Sequence, residues 1–135
     1  MRILWPNEDV GSYGNLSDND KSLVVSIEFA GRKMLLTSDI GKTTQKEFVR
    51  LYPELKPEIV VVPHHGSVST SDADFLKNLD SNVLIYSCDR KNYEKQKLNN
   101  EKESFYTARD GAITVCIEKT GAIKMFLQKN RVAKE

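Results

Sequence analysis

The chain has 135 residues and a mass of 15.3 kDa, which suits one domain with its own core and leaves no room for two. It is 39% hydrophobic, 29% charged and 8% aromatic, a composition that excludes a disordered or fibrous chain. Lys plus Arg total 20 against 19 Asp plus Glu, so a net charge of +1 points neither to nucleic acid nor to a membrane surface. No apolar run exceeds four residues (59–62 and 83–86), far short of a bilayer-spanning stretch. The opening MRILWPNEDV lacks the apolar segment of a secretory signal. A cytoplasmic protein without membrane contact is expected, with Cys88 and Cys116 as buried, reduced thiols.

In chain order, residues 2–5 read as a short strand stopped by Pro6, and residues 7–20, rich in Gly, Asn, Asp and Ser, as a loop. Residues 23–30 alternate, with Leu23, Val25, Ile27 and Phe29 on the side expected to face the core. A turn at Gly31-Arg32 returns the chain as a strand over 33–37, making a hairpin. Phe48, Val49 and Tyr52 then predict a helix over 43–52, capped by Thr43 or Thr44. The β-branched run 59–62 suits a strand covered on both faces. Ser71 is expected to cap a helix over 72–79, and 83–88 to form the next strand. Residues 89–103 are polar without hydrophobic period, so a loop is expected. Strands over 105–108, 112–118 and 122–128 close the chain as a meander, and 129–135 reads as a flexible tail. The order implies an α/β sandwich with a mixed sheet and helices on one outer face.

Two places can carry chemistry. Asp39 follows one predicted strand and His64-His65 follow the next, where rigid scaffolds commonly hold active groups. A carboxylate and an imidazole from neighbouring strand ends can share a zinc or manganese ion. Adjacent histidines cannot easily ligate one ion, so one would bind metal and the other transfer a proton. Taken alone, an Asp after a strand is usually a turn residue.

Leu35-Leu36-Thr37-Ser38-Asp39-Ile40 resembles the LLTGD segment of the metallo-β-lactamase superfamily. Val61-Val62-Pro63-His64-His65-Gly66-Ser67, with Ser69-Thr70-Ser71, is similar to its VPHHGS-TS segment. Asn19-Asp20-Lys21-Ser22-Leu23-Val24 and Tyr106-Thr107-Ala108-Arg109-Asp110-Gly111-Ala112-Ile113 match further elements, in order, of the β-lactamase-like domain of ComEC-type competence proteins, which handle DNA during uptake.

The resemblance implies a partial metallo-β-lactamase-like αββα sandwich over residues 1–128, corresponding to the second half of that domain. It implies Asp39 as a bridging metal ligand and His65 as a direct ligand. His64 would be the catalytic, proton-transferring partner, although the two histidines are interchangeable at this stage. It also implies hydrolysis by metal-activated water. The family's His-x-Asp-x-Asp-His run is absent; Asp18-Asn19-Asp20 and Asp72-Ala73-Asp74 have its acidic spacing without its histidines. Ser38 stands where the family has Gly, and its N-Y-G-H-P loop survives only as Asn92-Tyr93.

The expected function is therefore a fragment of a metal-dependent, nuclease-like hydrolase, inactive alone, with weak or partial zinc or manganese binding. The alternative is a degenerate, non-catalytic module that binds a protein or nucleic acid. A homodimer or the domain's missing N-terminal half would cover the sheet face left by the helices. The end residues Lys124, Lys129, Arg131 and Lys134 are the candidates for a weak DNA contact, with a solvated end as the favoured explanation of the same charge.

Overall fold

Six short strands and a hairpin account for the architecture of the computed structural model, which describes residues 1–96 and 102–129. The main sheet has the order β1 (Arg2–Trp5), β2 (Val24–Phe29), β3 (Arg32–Leu36), β4 (Ile59–Val61), β5 (Val83–Tyr86) and β6 (Glu103–Tyr106). β1, β2 and β3 pair antiparallel, and β3 to β6 run parallel. The sheet is therefore mixed, as the sequence implies. β7 (Ile113–Ile117) and β8 (Ile123–Leu127) form a separate antiparallel pair, so the expected closing meander is instead a second, two-stranded sheet.

Side-chain alternation divides the main sheet into two faces. One face carries Val24, Leu35, Val60, Leu84 and Tyr106, and the helices cover it. α1 (Lys42–Leu51) contributes Phe48, and α2 (Phe75–Leu79) contributes Phe75 and Leu79. α3 (Arg90–Gln96) adds Tyr93, and the single turn α4 (Thr107–Asp110) adds Ala108. The other face carries Ile59, Ile85 and Phe105, packed under Ile113, Val115, Ile123, Met125 and Leu127 of the hairpin.

Three expectations change. In β2 the fully protected residues are Val24 and Ser26, on the helix side; Val25 and Ile27 are half-buried, and Leu23 and Phe29 are exposed. The period was legible, but the phase that faces the helices is Val24, Ser26 and Glu28, of which only Val24 is apolar, so the apolar alternation pointed to the opposite face. The sheet face away from the helices is not left bare, because the chain's own hairpin covers it over β3 to β6; only the β1–β2 end, with Ile3 and Leu23 more than half exposed, stays open. Cys88 is buried but Cys116 points outward from β7, and both are free thiols.

The helix starts also differ from expectation. α1 begins one residue after Gly41, so Thr43 and Thr44 lie inside its first turn. α2 begins at Phe75 rather than at residue 72, because Ser71 turns its hydroxyl back to the Ser67 carbonyl and Asp72 donates its N–H to Gln45 Oε1. The expected 105–108 strand is displaced to Glu103–Tyr106, and the chain turns helical at Thr107. The polar stretch after Asp89 contains α3, started by Asp89 Oδ1 accepting from the Asn92 N–H at 2.8 Å and supported by an Arg90–Glu94 pair. Residues 97–101 of that stretch, and the expected tail beyond Lys129, lie outside the described residues.

Phe105 is 4% exposed where the hairpin meets the parallel sheet. Phe105→Ala is expected to cost about 3–5 kcal/mol in urea unfolding. A loss below about 1 kcal/mol would show that the hairpin does not pack as described.

Candidate functional site

Parallel strands end on the same edge of a sheet, and here β3, β4, β5 and β6 each send a loop to one place. β3 leads to Ser38-Asp39, β4 to the Pro63–Gly66 turn, β5 to Ser87-Cys88-Asp89 and β6 to Thr107. The β3 loop is anchored on both sides. Thr37, fully buried, donates its hydroxyl to the Val61 carbonyl at 2.6 Å, and Ile40 is buried in the core.

The backbone of the site is held in a sparsely populated region. Ser38, His64 and His65 have φ of 48°, 51° and 57°, and Gly66 follows at 73°. Each left-handed non-glycine residue costs on the order of 1–3 kcal/mol and persists only where surrounding contacts impose it. The other two such residues among those described have local reasons: Ala30 precedes Gly31 in a hairpin turn, and Asp80 ends α2. The remaining three are joined by one bond, the His64 N–H donating to the Ser38 carbonyl at 3.0 Å. Ser38, where the resemblance expects Gly, adopts the positive φ itself.

This twist aims the two histidines apart. Their ring centres are 6.5 Å apart. His65 Nδ1 lies 2.7 Å from the Ser87 carbonyl, which can only accept, so Nδ1 carries the proton and Nε2 presents its lone pair. Nε2 is 3.6 Å from Asp39 Oδ1. That separation is too long for a hydrogen bond. It equals the span of two atoms that each ligate one ion at about 2.0–2.2 Å with an angle near 120°. Both side chains are roughly half exposed, so the site opens to solvent. His64 instead turns inward, and its Nδ1 is buried without a hydrogen-bond partner among the described residues. The two resemblance-derived ligands, Asp39 and His65, are thus side by side, and His64 is adjacent but separately oriented. Asp18, Asp72 and Asp74 do not join them: among the described residues no group of three or more His, Cys, Asp or Glu could hold an ion.

Several residues that shape this site carried little sequence signal. α3 docks on the histidine turn through Gln96, whose Nε2 donates to the Gly66 carbonyl. A Cβ on Gly66 would lie 2.5 Å from Tyr86 Cδ1 and 2.7 Å from Gln96 Oε1, so the turn needs glycine for space as well as for φ. Gln45, fully buried, donates to the Ile40 and Thr70 carbonyls and fixes the loop after the turn. Beside His65 a cavity of about 340 Å³ is lined by Ser87, Cys88, Asp89, Asn92 and Thr107. Burial pushes the Cys88 thiol above its ordinary pKa, so it is an inert wall.

Asp20, read from sequence as one end of an acidic spacing and as part of the Asn19–Val24 resemblance, caps the loop that carries Asp39. Its Oδ1 accepts the Gly41 N–H at 3.1 Å, and its carbonyl accepts Trp5 Nε1 at 2.6 Å and the Thr44 hydroxyl at 3.0 Å. Partial burial opposes its charge, but hydrogen bonds from Ser17, Thr44 and the Gly41 N–H outweigh that and lower its pKa. A lowered carboxyl pKa contributes stability that is present above the unfolded value near 4 and lost as the pH falls through the folded value. Asp20→Asn should therefore flatten the acid side of the stability curve below about pH 4. An unchanged acid slope in that variant would remove Asp20 from this role. Gly66→Ala should cost about 2–4 kcal/mol, whereas Gly11→Ala, with open space around it, should change stability little. Equal effects in thermal melts would contradict the packing described.

No family model matches the chain. Among curated proteins it is 32% identical over 76 residues to ComE operon protein 3 of Bacillus subtilis (strain 168), covering 56% of this chain and 10% of that one. It is 28% identical over 102 residues to the uncharacterized protein YcaI of Escherichia coli (strain K12), 75% of this chain and 13% of that one. It is also 30% identical over 74 residues to competence protein ComA of Neisseria gonorrhoeae, 54% of this chain and 11% of that one. The chain therefore spans about a tenth of the length of the curated relatives it matches. Over more than half of its own length it is similar to ComE operon protein 3 and to competence protein ComA.

Proposed function

We propose that the chain is part of a metallo-β-lactamase-like, metal-dependent hydrolase of the ComEC type, working on DNA in uptake, and that it carries half of the metal site. The observation that supports this most is the strained backbone unit: three left-handed residues tied by one hydrogen bond, presenting Asp39 and an Nε2 lone pair 3.6 Å apart. Strain of this size is retained where a ligand geometry requires it. The similarity to ComE operon protein 3 and to competence protein ComA supports the DNA-related reading.

In this reading Asp39 and His65 hold zinc or manganese, which supplies an acidified water and charge stabilisation at phosphorus. The Ser87 carbonyl keeps the proton on His65 Nδ1 and so keeps Nε2 available. His64, with Nδ1 enclosed, has only Nε2 left as the atom that would pass a proton to or from a substrate. A zinc site needs about four donors, and Asp39 with His65 supplies two. The others come from a preceding segment of a longer protein or from a second copy, which would also cover Ile3, Leu23 and Phe29. Alone, the chain is a weak metal binder without nuclease activity.

Calorimetric titration with zinc and manganese tests this. The expected result is weak, substoichiometric binding that is lost in Asp39→Ala and His65→Ala and largely kept in His64→Ala. Tight equimolar metal surviving chelator dialysis would contradict a half-site, and binding indifferent to His65→Ala would contradict the ligand assignment. Metal-dependent DNA cleavage by the chain alone, abolished by Asp39→Ala, would show that the centre is complete.

A further inference from the structure

The exposed face of α1 carries charge for which the metal-site reading has no use. Lys42, Lys46 and Arg50 recur every four residues, and at 3.6 residues per turn this sets them in one stripe about 12 Å long. The stripe cannot rotate inward, because Thr44, Gln45 and Phe48 on the opposite side are fully buried. Lys42 stands three residues after Asp39, so the stripe begins at the candidate site and runs away from it. At its far end Lys46, Arg50 and Lys56 line a cleft of about 200 Å³ with Tyr52 and Pro53. Lys42 and Lys46 make no ion pair among the described residues. Arg50 is paired with Glu47, and Lys56 donates to the Asn78 carbonyl. Against these four cations stand Glu47, paired with Arg50, and Asp80, which feels the charge of Lys56; Lys42 and Lys46 remain uncompensated among the described residues in a chain of net charge +1.

We propose that this stripe binds the phosphodiester backbone of a nucleic acid and leads it toward the Asp39/His65 end; only the destination rests on the metal-site reading. One strand of a duplex places a phosphate about every 3.4 Å along its axis, so a stripe of about 12 Å spans three to four phosphates. A linear row of flexible ammonium groups fits a linear polyanion, whereas a free phosphate calls for donors that converge. Such contacts read charge and not sequence.

The test uses the whole chain and a fluorescent DNA duplex in the presence of chelator. Three neutralised phosphates predict a slope of about −2.7 for log K against log salt, or about a 40-fold loss between 50 and 200 mM salt. Lys42→Gln/Lys46→Gln/Arg50→Gln is expected to weaken binding at least ~10-fold at 50 mM salt. Lys119→Gln/Lys124→Gln/Lys129→Gln, which removes the same charge from the hairpin end, should change it less than ~3-fold. No duplex binding by the parent chain, or equal losses in the two triple variants, would overturn the proposal. Asp39→Ala separates it from the metal site: that variant should lose zinc and keep DNA.

Discussion

One hydrogen bond, from the His64 N–H to the Ser38 carbonyl, joins the loops that leave β3 and β4. Everything at the candidate site depends on it. Without that tie, Ser38, His64 and His65 would relax toward negative φ, and the side chains they orient would swing away from each other. The strain is sustained by what surrounds it. Thr37 is buried and bonded to Val61, Gly66 is wedged against Tyr86 and Gln96, and Ile40 is sunk in the core. Each contact restrains one side of the turn, and together they leave the two loops one arrangement.

The sheet makes that arrangement possible. Only where β3, β4, β5 and β6 run parallel do their exits meet on one edge, and the exits supply the carboxylate, the imidazoles, the carbonyl that fixes the tautomer and the cavity wall. The antiparallel β1–β2 end supplies no side chain to the site and leaves Ile3, Leu23 and Phe29 exposed. Core packing on the two faces follows from the same pattern: helices on one, the β7–β8 hairpin on the other. The exposed side of α1 is free of packing duty, so the charges along it can serve a partner.

Much of this was legible in the sequence, for reasons that differ by element. The β-branched run at 59–62 and the apolar run at 83–86 marked the central strands because a strand covered on both faces has little freedom in composition. Asp39 and His64-His65 were singled out because strand ends and a specific motif drew attention to them, and the fold sets them at neighbouring strand exits. The helix α3 was missed because it turns little more than Tyr93 and Gln96 inward, too few for a periodic signal, although Asp89 and the Arg90–Glu94 spacing were present as start and support. Asp20 and Gln45 act across about 25 residues through backbone groups, and such pairings leave no local trace. Which of the two histidines faces Asp39 depends on backbone dihedrals, which a sequence does not carry.

The 3.6 Å gap between Asp39 Oδ1 and His65 Nε2 is the span that a shared ion would fill. Anomalous diffraction from a zinc-soaked crystal measures this directly. A peak about 2.0–2.2 Å from both Asp39 Oδ1 and His65 Nε2, with His65 Nδ1 still on the Ser87 carbonyl, is the result expected. A direct hydrogen bond between Asp39 and His65 with no zinc between them, at saturating metal, would contradict it.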